Sequence, residues 1–268
     1  MRSILVAILL LVCASAAHAG DCDVTLSSMG DDAVDLLASP FHMDRGETVR
    51  VLSVAAAVGA TMMWWDDDFD RAARDYPQEY PYALIHYASI PTRWYGESST
   101  HALITAVAVT GAVGLGGWIA DDDEIVQTSA IMAESAAFTV GLTYLGKMIF
   151  GRARPRVESG PHSFDFFTPP QRDEHLSFPS GHASTAWALA GAAASRHPHW
   201  YVRLPAYSFA VSAALQRVDA RNHWMSDVIA GSVLGLAVSQ FLSDRHTCPP
   251  GTDSGDEATA TVAVTFAF

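Results

Sequence analysis

Lysine is almost missing from this chain. Of its 16 basic residues 15 are arginine, and the only lysine is Lys147. Basic residues are scarce altogether: 29 Asp and Glu leave a formal net charge of −13. That balance argues against a nucleic-acid partner, whose affinity rests largely on cations meeting phosphates. Cysteine is sparse too, and three in 268 residues cannot staple a disulfide-dense scaffold. No HExxH or other compact His/Cys cluster is present, so no metal ligand set and no cofactor are expected. Period-two alternation is nearly absent from the apolar stretches, which excludes an extensive sheet. Half of the residues are hydrophobic and 17% are charged, too apolar a mixture for disorder. The length suits one domain, or at most two modest ones.

The first 19 residues have the build of a signal peptide. Arg2 precedes an apolar run from Ile4 to Val12, and Ala17-His18-Ala19 is a small-x-small cleavage pattern. A mature start near Gly20 is expected, which places the chain in the periplasm of a Gram-negative-type bacterium. An integral membrane protein with its active site facing the periplasm is the alternative. Cys22 and Cys248 then remain, free to pair or to stay as separate thiols.

Six alanine-rich apolar stretches predict an all-α helical bundle over residues 20–248: Val49 to Trp65, His101 to Ala120, Ile125 to Phe150, Ala183 to Ala194, Leu204 to Leu215 and Val228 to Leu242. The acidic run Asp121 to Glu124 is suited to starting the helix from Ile125. Asp66 to Asp70 lacks the glycine turn and closing glutamate of an EF-hand calcium loop. Only His101 to Ala120 offers a charge-free run of membrane-spanning length. A soluble or peripheral bundle is therefore expected ahead of a polytopic one, with contact to a membrane surface. Trp64, Trp65, Trp94, Tyr95 and Trp118 could serve that contact or simple packing. Residues 249–268 read as a polar linker and a strand-like tail, alternating from Thr259 to Phe268.

Three clusters carry chemistry. In the first, Lys147 and Arg154 are seven residues apart, nearly two helical turns, with Pro155 ending the helix. Two cations from one helix end suit an oxyanion. In the second, Ser180 is placed to cap a helix, Gly181 lets amides approach an anion, and His182 lies in the first turn. In the third, Arg217 is a forked donor for phosphate oxygens. His223 and Asp227 are four residues apart there, able to share a helix face. A carboxylate on one imidazole nitrogen would leave the other free to attack.

The ordered set Lys147-x6-Arg154-Pro155, Pro179-Ser180-Gly181-His182 and Arg217-x5-His223-x3-Asp227 resembles the type 2 phosphatidic acid phosphatase (PAP2) superfamily. That superfamily includes bacterial acid phosphatases, lipid phosphate phosphatases and vanadium haloperoxidases. Gln216 stands where the family usually has serine before the third-motif arginine. The resemblance implies the PAP2-type helical bundle and metal-independent hydrolysis of a phosphate monoester: a lipid phosphate, a polyprenyl pyrophosphate or a small ester. It implies His223 as nucleophile, forming a phosphohistidine, Asp227 as its orienter, and His182 as acid and then base. Lys147, Arg154, Ser180, Gly181 and Arg217 would hold the phosphate. A vanadate-dependent haloperoxidase and a non-catalytic envelope scaffold are the alternatives. Arg152 and Arg156 are expected at the substrate rim or surface, and His175, His197, His199 and His246 in solvent.

Overall fold

The structure is a computed structural model that describes residues 24–247. The expected signal peptide, Cys22, Cys248 and the strand-like tail lie outside the described residues. The chain runs through α1 (Leu26–Ala38), α2 (Arg45–Trp64), α3 (Asp66–Asp75), α4 (Tyr82–Ser89), α5 (Arg93–Gly96), α6 (Ser99–Ala120), α7 (Asp123–Phe150), α8 (Gly181–Arg196), α9 (Trp200–Asp219) and α10 (Met225–Arg245). Among the described residues there is no strand, only an antiparallel bridge between Arg152 and Phe164. The fold is all-α.

Helix ends follow local chemistry. The Asp122 side chain accepts from the Ile125 amide at 3.1 Å, and Asp123 and Glu124 occupy the first turn of α7. The acidic run starts that helix as its charges predict. The other end falls earlier than Pro155. Gly151 turns left-handed at φ 53, and its amide donates to Lys147 O at 2.9 Å. A Cβ on Gly151 would lie 1.7 Å from Asp165 O, so glycine both permits the turn and makes room for the returning chain. Arg154 is therefore in extended backbone, not two helical turns above Lys147.

The bundle closes around α8, whose Ala183, Ala186, Ala188, Ala190, Ala192 and Ala194 are all buried. It packs chiefly on α10, α9 and α7. Glycines bring α10 close: a Cβ on Gly235 would sit 2.1 Å from Ser184 O, and one on Gly231 2.5 Å from Ser180 O. This contact sets the second motif, at the start of α8, against the third, at the start of α10.

Among the described residues three helices, α6, α7 and α10, are long and apolar enough to cross a membrane, or up to four if the bent pair α2 and α3 counts as one span. This corrects the single span expected from sequence. Glu134 and Lys147 had discounted α7, yet two charges do not disqualify a span when they turn inward, and Glu134 is fully buried. Only 28% of the most apolar window of α6 is buried inside the bundle. Its Ile104, Leu115, Trp118 and Ile119 face outward. An apolar surface of this extent marks a membrane protein and displaces the soluble bundle. Of the five aromatics singled out, Trp64, Trp65, Trp94 and Trp118 are exposed, while Tyr95 is fully buried.

Candidate active site

His223 lies in the turn before α10, so its relation to Asp227 does not come from sharing a helix face. Asp227 is the third residue of α10, and its Oδ2 accepts from the Trp224 amide at 3.0 Å. The same oxygen accepts from Ser177 Oγ at 2.5 Å and lies 3.7 Å from His223 Nδ1. Ser177 Oγ is itself 3.4 Å from that nitrogen. Serine thus stands between imidazole and carboxylate. On the other edge of the ring, His223 Nε2 is 3.4 Å from Arg154 Nη1. A guanidinium only donates, so Nε2 is the acceptor and Nδ1 carries the proton of the neutral ring.

Asp227 Oδ1 accepts from Arg152 Nη1 at 2.5 Å. Arg152 also binds Asp66 Oδ2 at 2.7 Å, Ser226 Oγ at 2.7 Å and Pro161 O at 2.7 Å. Its guanidinium lies over the rings of Trp224 and Phe164. Arg152 is therefore a fully buried ion-pair centre, not the rim or surface residue expected. Two carboxylates and a backbone carbonyl repay its desolvation. Arg156 does sit at the surface, bonded to Asp173 Oδ2 at 2.8 Å and to Asn222.

The cations form the facing wall. Arg154 is held by Asp173 O and Asn222 O at 2.8 and 3.0 Å and by the Asp173 carboxylate at 2.8 Å. Lys147 donates to Leu176 O and sits 3.4 Å from Ser177 O. Arg217 donates from Nη1 to Gly96 O and, at 3.1 Å, to Gln216 Oε1. The buried Arg217 Nε has no hydrogen-bond partner. Ser180 immediately precedes α8, but its side chain makes no capping bond, and its buried Oγ has no partner either. The expected serine cap is not formed; the hydroxyl is left for something else. Gly181 opens α8, where a Cβ would meet Lys147 Cε only at 3.8 Å.

His182 is in the first turn of α8, buried, with Nε2 3.2 Å from Ser98 O. Tyr95 donates to His182 O at 2.9 Å and sets its ring edge against the imidazole at 5.5 Å. Burial, with the charges of Arg217, Lys147 and Arg154 behind it, lowers His182 to about 3. Burial and the charges of Lys147, Arg154, Arg217 and His182 push His223 well below its usual value. Burial and Arg154 bring Arg217 down to about 9. Contacts join these groups in one cationic locus: Arg154 Nη1 is 3.4 Å from His223 Nε2, the His223 amide donates to Arg217 O at 3.2 Å, and Gly181, next to His182, lies against Lys147. A surface cleft lined by Trp200, Leu204, Tyr207 and Val211 contains none of them and offers one cation, Arg203, without a base. The buried locus is the candidate site.

Sequence reasoning missed Ser177, Arg152, Asp66, Ser226 and Tyr95. His246 is also corrected: it is buried and bonded to Asp32 at 3.0 Å, not solvated. His197 is partly buried with Nε2 3.0 Å from Thr128 Oγ1, His175 is partly buried, and His199 is exposed as expected.

Residues 128–246 match the family model described as PAP2 superfamily. Over 105 residues the chain is 32% identical to a lipid A 1-phosphatase of Porphyromonas gingivalis. That match covers 38% of this chain and 20% of the relative, so the chain spans about a fifth of the length of the protein it matches. No solved structure matches the chain.

Proposed function

Residues 128–246 belong to the PAP2 superfamily, and from that premise we propose that the chain is a membrane-bound phosphatase that hydrolyses a lipid phosphate monoester through a phosphohistidine at His223. The observation that carries the proposal is the two-sided environment of His223. Its Nε2 faces Arg154 at 3.4 Å, while Nδ1 faces Ser177 at 3.4 Å and Asp227 at 3.7 Å.

A phosphate seated among Lys147, Arg154 and Arg217 would take donors from Arg217 Nε, Ser180 Oγ and the Gly181 amide. Buried donors without partners are costly, and an anion removes that cost. His223 Nε2 attacks phosphorus, and the bond from phosphorus to the leaving oxygen breaks. The imidazolium character that develops is stabilised by Asp227 and Ser177 on the Nδ1 side. His182 passes a proton to the leaving oxygen. Water, giving its proton to His182, then attacks the phosphohistidine, the N–P bond breaks, and inorganic phosphate leaves. The cations stabilise charge building on the equatorial oxygens. Burial first and the neighbouring cations second keep His182 near 3; a phosphate dianion offsets the cations' share, raising the ring toward a value at which it can hold the proton it must give.

Two observations favour a lipid: the outward apolar faces of α6 and its neighbours, and a relative named as a lipid A 1-phosphatase. A site facing the periplasm belongs to the same proposal. The test is a panel comparing detergent-solubilised lipid phosphates with p-nitrophenyl phosphate, with His223→Ala as control. The expected result is phosphate release at a higher kcat/KM from lipid phosphates, lost in the variant. Release that survives His223→Ala would contradict the nucleophile.

A further inference from the structure

About 20 Å along α7 from Lys147, thirteen residues at 1.5 Å each, a second cluster of ionisable side chains lies in the core. Glu134 and Asp32 are fully buried and His246 nearly so. One ligand atom of each lies within 4.8 Å of the others. His246 Nε2 is 3.0 Å from Asp32 Oδ2 and 3.5 Å from Glu134 Oε2. Glu134 Oε1, equally buried, has no hydrogen-bond partner. The three residues come from α1, α7 and the chain just past α10. None of them touches the phosphate locus.

We infer that Asp32, Glu134 and His246 form a binding site for a divalent transition cation, Zn2+ in first place, that ties α1, α7 and the end of α10 together. Distance and donor type agree. Bonds of about 2.0–2.1 Å from a tetrahedral metal place neighbouring ligand atoms about 3.3 Å apart. The two spacings from His246 Nε2, 3.0 and 3.5 Å, bracket that edge. Arg245 pairs with Asp32 Oδ1 and with Asp35 Oδ2, leaving Asp32 Oδ2 to face the cluster. Asp35 is half exposed, so the buried carboxylates at the cluster are Asp32 and Glu134. One nitrogen and two carboxylate oxygens suit zinc, with a fourth position for water.

The full chain, purified in detergent, is stripped with chelator and titrated with ZnCl2. Bound metal is measured by mass spectrometry and the unfolding temperature is followed. The expected result is about one Zn2+ per chain with a rise in Tm, retained in His182→Ala and His223→Ala. Binding should weaken about tenfold or more in Glu134→Gln and Asp32→Asn with the helical CD unchanged. Should those variants not fold, the wild-type chain loaded with Co2+ decides, because a four-coordinate nitrogen/oxygen site gives visible d–d bands. No bound zinc and no Tm shift in the wild-type chain would overturn the inference and leave a histidine ion pair. Zinc lost on His223→Ala but kept in Glu134→Gln would overturn it too, as would a colourless Co2+ form.

Discussion

Ser177 is the smallest group with the largest proposed consequence at the residue scale. Its hydroxyl reaches Asp227 at 2.5 Å and His223 at 3.4 Å, so it positions the ring without touching the phosphate. Ser177→Ala is expected to lower kcat by about tenfold, with KM little changed, because the ring loses a guide felt mainly as charge develops. A fall in kcat/KM carried wholly by KM would place Ser177 in binding instead. Arg152 and Arg156 make a second contrast. Truncating a buried ion-pair partner costs about 3–5 kcal/mol, so Arg152→Ala should lower Tm sharply, whereas the exposed Arg156→Ala should leave it within a degree or two. Equal Tm values would contradict the buried centre. The arginine pair also shows what sequence can carry. Both sit in GRARPR, but Arg152 meets Asp66 across 86 positions, and no local spacing records that. Lys147, Arg154, His182, Arg217, His223 and Asp227 were legible because their order and spacing form a motif.

The depressed histidines set a pH dependence at the same scale. His223 is held neutral by burial and by Lys147, Arg154 and Arg217. Protonation silences a nucleophilic nitrogen, so the acid limb of kcat/KM should fall below pH 6.5; a limb at or above 6.5 would contradict the assignment. Stability follows the same sign. His182 and His223 are neutral when folded and take protons when unfolded below about 6.5. Stability is then complete above that value and declines as pH falls, by up to about 1.4 kcal/mol per pH unit for each ring. For His182 the decline ends near its folded value of about 3.

Helices α8 and α10 carry the site at the scale of elements. Their contact depends on backbone approach, with Gly235 against Ser184 O and Gly231 against Ser180 O. Gly235→Val is expected to destabilise the protein by about 1–3 kcal/mol or more and to lower activity with it, since the two motifs ride on these helices. Thermal unfolding with a parallel activity assay checks this, and an unchanged Tm would contradict the close approach. Five of the six apolar stretches and the acidic start of α7 gave helix positions to within a few residues. Leu204 to Leu215 proved the middle of a longer helix, α9, which runs on at both ends from Trp200 to Asp219. α1, α3, α4 and α5 went unread: α4 and α5 are short, α3 opens on three aspartates, and α1 carries Asp31, Asp32 and Asp35, which masks its apolar face. The end of α7 was misplaced because proline was weighed above Gly151, whose left-handed turn ends the helix first.

At the scale of the whole molecule, the described residues present apolar helices outward and turn the cations of the candidate site inward. Isolated apolar stretches could not reveal which of their charges are turned into the bundle, and Glu134 is the example: it argues against a span in sequence and is hidden in the fold. The protein should accordingly stay with membranes in high salt and be released by detergent; release by salt alone would contradict the spans. The account rests most heavily on the phosphorus bond to His223. The direct measurement is acid-quench-free trapping with 32P-labelled p-nitrophenyl phosphate on His182→Ala. Its good leaving group needs no acid, so the first step survives while the base for the second is gone. An alkali-stable, acid-labile label should map to His223 and vanish in the double variant with His223→Ala. A label on another residue, or turnover with no labelled protein in either variant, would contradict it.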